Sequence, residues 1–205
     1  MTDVPLIICF GDSLTAGYQS GPGGIVETPY GAFLQDRFGR RARVLVRGIC
    51  GELTGEMVLR FRADVLTDKP AWVLILGGTN DLGCNAAPEE IMRNLVKMYE
   101  QARAAGIRVG AVTVPSIRVE ASTADERAWV AEHLDRRDAL NGLIRRYCTE
   151  RGAACLDLFG TTAEPETRQL AARFSNDGLH LSTAGYQTLA DLAYAALAPH
   201  WPDKH

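Results

Sequence analysis

The feature that most constrains this chain is a short apolar run cut off by a polar turn, a pattern it uses repeatedly. Leu6-Ile7-Ile8-Cys9-Phe10 stops at Gly11-Asp12-Ser13, and Trp72-Val73-Leu74-Ile75-Leu76 stops at Gly77-Gly78-Thr79-Asn80-Asp81. Runs of this length without polar alternation read as strands covered on both faces, the habit of a parallel sheet. Further strand candidates lie at 42–46, 108–114 and 153–157. Helical patterns separate them. Thr28 and Pro29 read as N-cap and first helical position, with Tyr30, Phe33, Leu34 and Phe38 on one face and Gly39 as the stop. Val58, Phe61 and Val65 mark a second helix, and Pro88-Glu89-Glu90 open a third that ends near Gly106. Thr123 and Glu126 form a capping box for a long helix reaching about Arg151. Its Asp135-Arg136-Arg137-Asp138 segment reads as a solvated face. A last helix runs from about Ser182 to Pro199.

Strand and helix thus alternate along the chain, which predicts an α/β fold with helices on both faces of a parallel sheet. Right-handed crossovers then bring every strand's carboxyl end to one edge, where open α/β sheets hold their ligands. The turns carrying Ser13, Gly51 and Asn80, and the loop carrying His180, are expected to share that edge. With 205 residues, one domain spanning 1–205 is expected.

Charge and cysteine usage narrow the function classes. A net charge of −3 and a pI near 5.8 give no electrostatic case for nucleic acid or an anionic membrane. No run of about eighteen apolar residues predicts a membrane span. The five cysteines have no paired short spacing, and Met1-Thr2-Asp3-Val4-Pro5 carries no basic segment. Free thiols in a reducing, cytoplasmic setting are therefore expected.

The polar turns carry the chemistry. A serine hydroxyl needs a base to take its proton and a third group to hold that base. Asp177 and His180, three apart across a glycine-containing turn, can supply orienter and base from one loop. The backbone N–H groups of Ser13 and Gly51, with the side-chain amide of Asn80, can surround an oxyanion. A blander account has Asp12 and Ser13 simply capping the next helix. Asp12 itself reads as a structural hydrogen-bonding acid, and Asp81 as a brace for the Asn80 loop. His133, His200 and His205 read as structural or solvated, and a stray metal on His200, Asp203 and His205 would lack rigid geometry. Tyr18–Gly24 reads as a mobile loop at the rim of the site rather than a phosphate cradle, since no Lys-Ser/Thr follows it. Cys50 and Cys84 are expected near the site, the former within reach of a thiol reagent.

These residues together resemble an SGNH hydrolase of the GDSL lipase/esterase family. Gly11-Asp12-Ser13-Leu14 matches the nucleophile block, Gly78-Thr79-Asn80-Asp81 the Gly-x-Asn-Asp block, and Asp177-Gly178-Leu179-His180 the Asp-x-x-His block. Leu181-Ser182, Gly185 and Tyr186 continue the last block in a family-like way. The resemblance implies a three-layer, flavodoxin-like fold with a five-stranded parallel sheet. It also implies Ser13 as nucleophile, His180 as base, Asp177 as its orienter, and Ser13, Gly51 and Asn80 as oxyanion donors. Arg47 stands where many members have Asn, so Gly51 rather than Gly48 is taken as the donor from its likeness to the family's run toward Thr54. The Gly-x-Ser-x-Gly elbow of the α/β-hydrolases is absent.

The expected reaction is hydrolysis of a small-molecule carboxylic ester through an acyl-enzyme, without metal or organic cofactor. Arylesterase, thioesterase and lysophospholipase activities fall within that reading. Carbohydrate O-deacetylation is the alternative within the same chemistry, and a flavodoxin-like ligand-binding module is the alternative outside it. Leu53, Ile117 and Phe174 are the expected pocket walls.

Overall fold

The computed structural model describes residues 4–21 and 24–201. Five strands form one parallel sheet: β1 (Leu6–Gly11), β4 (Arg43–Gly48), β5 (Trp72–Leu76), β6 (Arg108–Val112) and β7 (Ala154–Leu156). Their order across the sheet is β4-β1-β5-β6-β7. The chain therefore reverses its direction of winding between β1 and β5, the point where doubly wound sheets open a crevice beyond the strand ends. Register pairs Phe10 with Arg47 on one side and Ile75 on the other.

Alternating side chains of the central strands feed two separate cores. Ile8 and Phe10 of β1 and Val73 and Ile75 of β5 face one layer, where they meet α3 (Thr54–Phe61), α5 (Pro88–Ala104) and α6 (Ala124–Arg151). Ile7 and Cys9, with Leu74 and Leu76, face the other, packed against α2 (Tyr30–Phe38) and α8 (Thr183–Leu197). Both faces are covered, which is why these strands read as unbroken apolar runs. Phe10 and Phe61 meet edge to face at 5.2 Å, a favoured aromatic geometry.

Several boundaries shift from the sequence expectation. Pro29 is the cap and α2 begins at Tyr30, while Thr28 is held by the Gln19 side chain. β6 stops at Val112 rather than at 114, because the Val114 amide turns to the buried Asn141 side chain. The glycine-rich stretch after α1 (Ser13–Ala16) forms an antiparallel pair, β2 (Tyr18–Gly21) and β3 (Gly24–Glu27). It stands at the rim of the site as expected, but as paired strands rather than irregular loop. Residues 22–23 between them, and Asp203 and His205 in the tail, lie outside the described residues.

The largest correction concerns α6. Arg137 is 1% exposed and points inward, not to solvent. Successive helical residues are about 100° apart, so Arg136 faces the loop at 82–86 while Arg137 enters the core side. His200 packs on Trp72 at the opposite end of the sheet, with centroids 5.5 Å apart.

Candidate active site

Ser13 stands one residue beyond Asp12, at the carboxyl end of β1. The Asp12 carboxylate accepts from the Leu14 amide at 2.9 Å, so Asp12 does cap α1. The cap also fixes Ser13 in the first turn, and Ser13 is 5% exposed. Capping and presentation of the hydroxyl are therefore the same feature.

Across the edge, Ser13 Oγ is 3.2 Å from His180 Nε2, although 167 residues separate them. His180 Nδ1 is 2.9 Å from Asp177 Oδ2. The other Asp177 oxygen accepts from the amides of Leu179 and His180, at 2.9 and 2.8 Å. This fold of the loop requires Gly178. Its φ is +82°, and a Cβ there would lie 2.2 Å from the Arg118 carbonyl oxygen. Ser182 caps α8 and its amide bonds the Phe174 carbonyl, which anchors the loop from its other end.

Asp177 has a further partner that sequence reasoning did not find. Ser20, on β2, donates to Asp177 Oδ2 at 2.7 Å. Tyr18, also on β2, packs its ring on His180 with centroids 4.3 Å apart, and its carbonyl accepts from the Tyr186 hydroxyl. Partial burial pushes the Asp177 carboxyl up, but the Ser20 and His180 side chains and two backbone amides more than offset it. Asp177 is held well below the usual carboxylate range and stays charged.

The three expected donors are the Ser13 and Gly51 amides and the Asn80 side chain. Neither the Ser13 nor the Gly51 amide donates to a protein acceptor among the described residues. Gly51 has φ +78° in an open turn, whereas a Cβ on Gly48 would lie 2.2 Å from the Ala16 nitrogen. Gly48 is thus used for close packing, and Gly51 is the glycine with a free N–H. Asn80 Nδ2 donates to the Glu52 carbonyl at 2.9 Å, which fixes the amide and leaves its second hydrogen for another acceptor. Asp81 does brace this region: both oxygens accept from the Thr54 amide and one from its hydroxyl at 2.6 Å. Arg60 clamps the Gly51 turn from below, bonding Glu52 and the carbonyls of Gly11 and Arg47. Nothing in the sequence spacing announces that clamp.

A cavity of about 640 Å³ opens beside these groups, with Gly51, Asn80 and Asp177 in its lining. Leu53 and Ile117 line it as expected, with Val119, Trp129 and Leu179. Phe174 does not. Its ring is buried in the α2/α8 core layer, so this expectation is corrected. Cys84 lines the cavity and is exposed. Cys50 is exposed too, but burial of its sulfur and the nearby Glu27 and Asp12 charges push its thiol up, disfavouring the reactive thiolate. His133, buried rather than solvated, lines the cavity and stacks on Trp129.

A hydroxyl, an imidazole and a carboxylate in this order can pass a proton from oxygen to nitrogen while the carboxylate balances the imidazolium. Comparisons with known proteins agree with the fold that positions them. The lipase/acylhydrolase from Enterococcus faecalis superposes with a TM-score of 0.79 at 24% identity, covering 98% of this chain and 99% of that one. Est24, a carbohydrate acetylesterase from Sinorhizobium meliloti, superposes with a TM-score of 0.76 at 17% identity, covering 96% and 99%. In sequence, the uncharacterized lipoprotein YqeF of Bacillus subtilis (strain 168) is 30% identical over 112 residues, 50% of this chain. That match spans 45% of the length of the relative. The model of the GDSL-like lipase/acylhydrolase family matches residues 9–188. It takes in the Ser13 turn, the Asn80 turn and the Asp177–His180 loop, and the chain belongs to this family of ester-acting hydrolases.

Proposed function

We propose that the protein is a serine hydrolase that cleaves small carboxylic esters through an acyl-enzyme at Ser13. The observation that carries this reading is the continuous line from Asp177 Oδ2 through His180 to Ser13 Oγ, beside two amides without acceptors. His180 Nε2 takes the proton from Ser13 Oγ as the oxygen attacks the ester carbonyl carbon. Negative charge then moves to the carbonyl oxygen, where the Ser13 and Gly51 amides and the Asn80 side chain donate to it. His180 returns the proton to the departing alcohol oxygen, and the acyl group stays on Ser13. Water repeats the sequence on the acyl-enzyme and releases the acid. Asp177 remains ionised throughout and fixes the imidazole by accepting from Nδ1. The apolar walls of the cavity favour an acyl or aryl group over a sugar ring.

The test is labelling with an organophosphate, followed by rates on acyl esters from acetyl to palmitoyl beside acetylated sugars. A single adduct on Ser13 and turnover of acyl or aryl esters are expected. Absence of an adduct together with tight binding of a small ligand would replace the enzyme with a binding module.

A further inference from the structure

The cavity contains a cation that the proposed reaction does not use. Arg137 is 1% exposed, yet no carboxylate lies within ion-pair distance of it among the described residues. Its Nη1 donates to the Pro115 carbonyl and to Thr79 Oγ1. Its Nε is buried without any partner, and Nη2 makes no hydrogen bond to the described residues. A buried guanidinium with three of its five N–H groups idle is costly. The two bonds through Nη1 tie α6 to the β6 loop and to α4 (Thr79–Gly83). A neutral side chain can make such a tie, so the tie does not account for a charge at this place.

The surroundings point the same way. Arg137 lines the cavity together with Thr79, and the next residue, Asn80, is one of the three donors around Ser13. The other charged groups of the lining have hydrogen-bond partners of their own, that of Glu56 being a neutral amide. Arg118 pairs with Glu164 at 3.0 Å, and exposed Glu56 accepts from the Leu53 amide at 2.9 Å. Asp177 is bound to His180 and Ser20. His133 is pushed down to about 4 by burial and by the charges of Arg137 and Arg136, so at neutral pH it adds no cation. Walls of Leu53, Ile117, Val119 and Trp129 complete a largely apolar cavity, and Arg137 feels the Asp12 charge without forming an ion pair with it among the described residues.

We infer that this cavity selects esters that carry a carboxylate, received by Arg137. The inference rests on the ester-hydrolase reading above and adds the substrate class to it. The ester carbonyl lies at Ser13 while the rest of the molecule crosses the apolar cavity and ends on the guanidinium. Thr79 stays bonded to Nη1, and Nη2, which has no acceptor among the described residues, donates to the carboxylate.

Two matched pairs of esters test this and show which end of the ester carries the anion. Monoethyl adipate against ethyl hexanoate places the charge on the acyl side, and 4-acetoxybenzoate against 4-acetoxybenzamide places it on the leaving group. For at least one pair, wild type should favour the anionic member in kcat/KM by roughly 10- to 100-fold, the range of a charged hydrogen-bonded contact. In Arg137→Gln that ratio should fall to near one, and in Arg137→Lys it should be intermediate. Equal or lower rates on both anionic esters in wild type would overturn the inference, as would an unchanged ratio in Arg137→Gln. If the Gln variant does not fold, the wild-type and Lys ratios decide. Calorimetry with the Ser13→Ala protein and adipate or 4-hydroxybenzoate separates this claim from the reaction. Binding that weakens in the Ser13→Ala, Arg137→Lys double variant supports the carboxylate site even if no ester is turned over. No binding, with neutral esters still cleaved by wild type, sinks the site and leaves the hydrolase standing.

Discussion

Two acids approach Ser13 from opposite sides, and their surroundings shift them in opposite directions. Asp12 precedes it in the chain and is fully buried, with one oxygen on the Leu14 amide and the other without a partner. Burial pushes its carboxyl up to about 7; the Leu14 amide opposes this, and the nearby Asp81 charge adds to it. Asp177 reaches Ser13 only through His180, is partly open to solvent, and is held down by four close donors, with the Ser175 hydroxyl a longer fifth at 3.4 Å. The contrast shows that nearness in sequence does not decide which acid serves the base. The useful one is the acid whose charge the surroundings stabilise, because only a permanent charge can balance an imidazolium. The acid beside Ser13 is a structural cap whose carboxyl is pushed up by burial.

Substitutions can break or sharpen this contrast. Asp177→Asn should have the largest effect, lowering kcat by about 10⁴, as loss of the orienting charge does in comparable triads. The melting temperature should stay within a few degrees, since an amide oxygen can still accept from the Leu179 and His180 amides. A large drop in melting temperature with unchanged kcat per folded molecule would reverse the roles assigned to the two acids.

Asn80→Ala should lower kcat by about 10²–10³ with KM within a few-fold, since its free amide hydrogen acts only once the oxyanion forms. Its loss also frees the Glu52 carbonyl, so thermal melts run beside the kinetics separate a missing donor from a loosened turn.

Asp12→Asn should change kcat only a few-fold, but it should change how stability depends on pH. In the unfolded chain this acid ionises near 4, and in the fold near 7. Between those values the folded protein retains a proton that the unfolded chain has released, so stability falls as pH rises through that window. The penalty is absent below the lower value and complete above the upper one. Asparagine never ionises. Its stability relative to wild type should therefore climb from pH 5 to pH 8, at up to about 1.4 kcal/mol per pH unit, and the melting-temperature difference should widen with it. A flat difference would mean that Asp12 is not held near neutrality.

Ser20→Ala should give the smallest effect, roughly a 3- to 10-fold loss of kcat at constant KM, about what one hydrogen bond is worth. No change at all would show that the remaining three donors suffice to hold Asp177.

Legibility in the sequence followed the same division. The central strands β1 and β5 were read nearly to the residue, because burial on both faces leaves a continuous apolar run. Ser13, Asp177 and His180 were brought together by topology that strand–helix alternation makes predictable. Residues that act through shape were not legible. Ser20 sits in a stretch whose glycines suggest loop, although two short strands form there. Phe174 looked like a pocket wall, but its place is decided by how the α8 cap turns the chain. Arg137 shares a charged tetrad with Arg136, and only the packing of α6 reveals which of the two points inward. Arg60 and Glu52 meet because α3 returns over the ends of β1 and β4, a tertiary fact with no local signature.

The contact between Ser13 and His180 spans 167 residues of chain, and that span has a consequence in time. During synthesis Ser13 is made 167 residues before His180. Early segments can collapse into β1, β4 and β5 while Ser13 is still an ordinary alcohol, unable to attack anything. Reactivity arrives in one late step, when α8 docks against α2 and carries the Asp177–His180 loop with it. A chain stalled or cut before His180 lacks the partner of Ser13 however well its earlier strands have folded, so any turnover that depends on this pair reports only molecules in which both segments are in place.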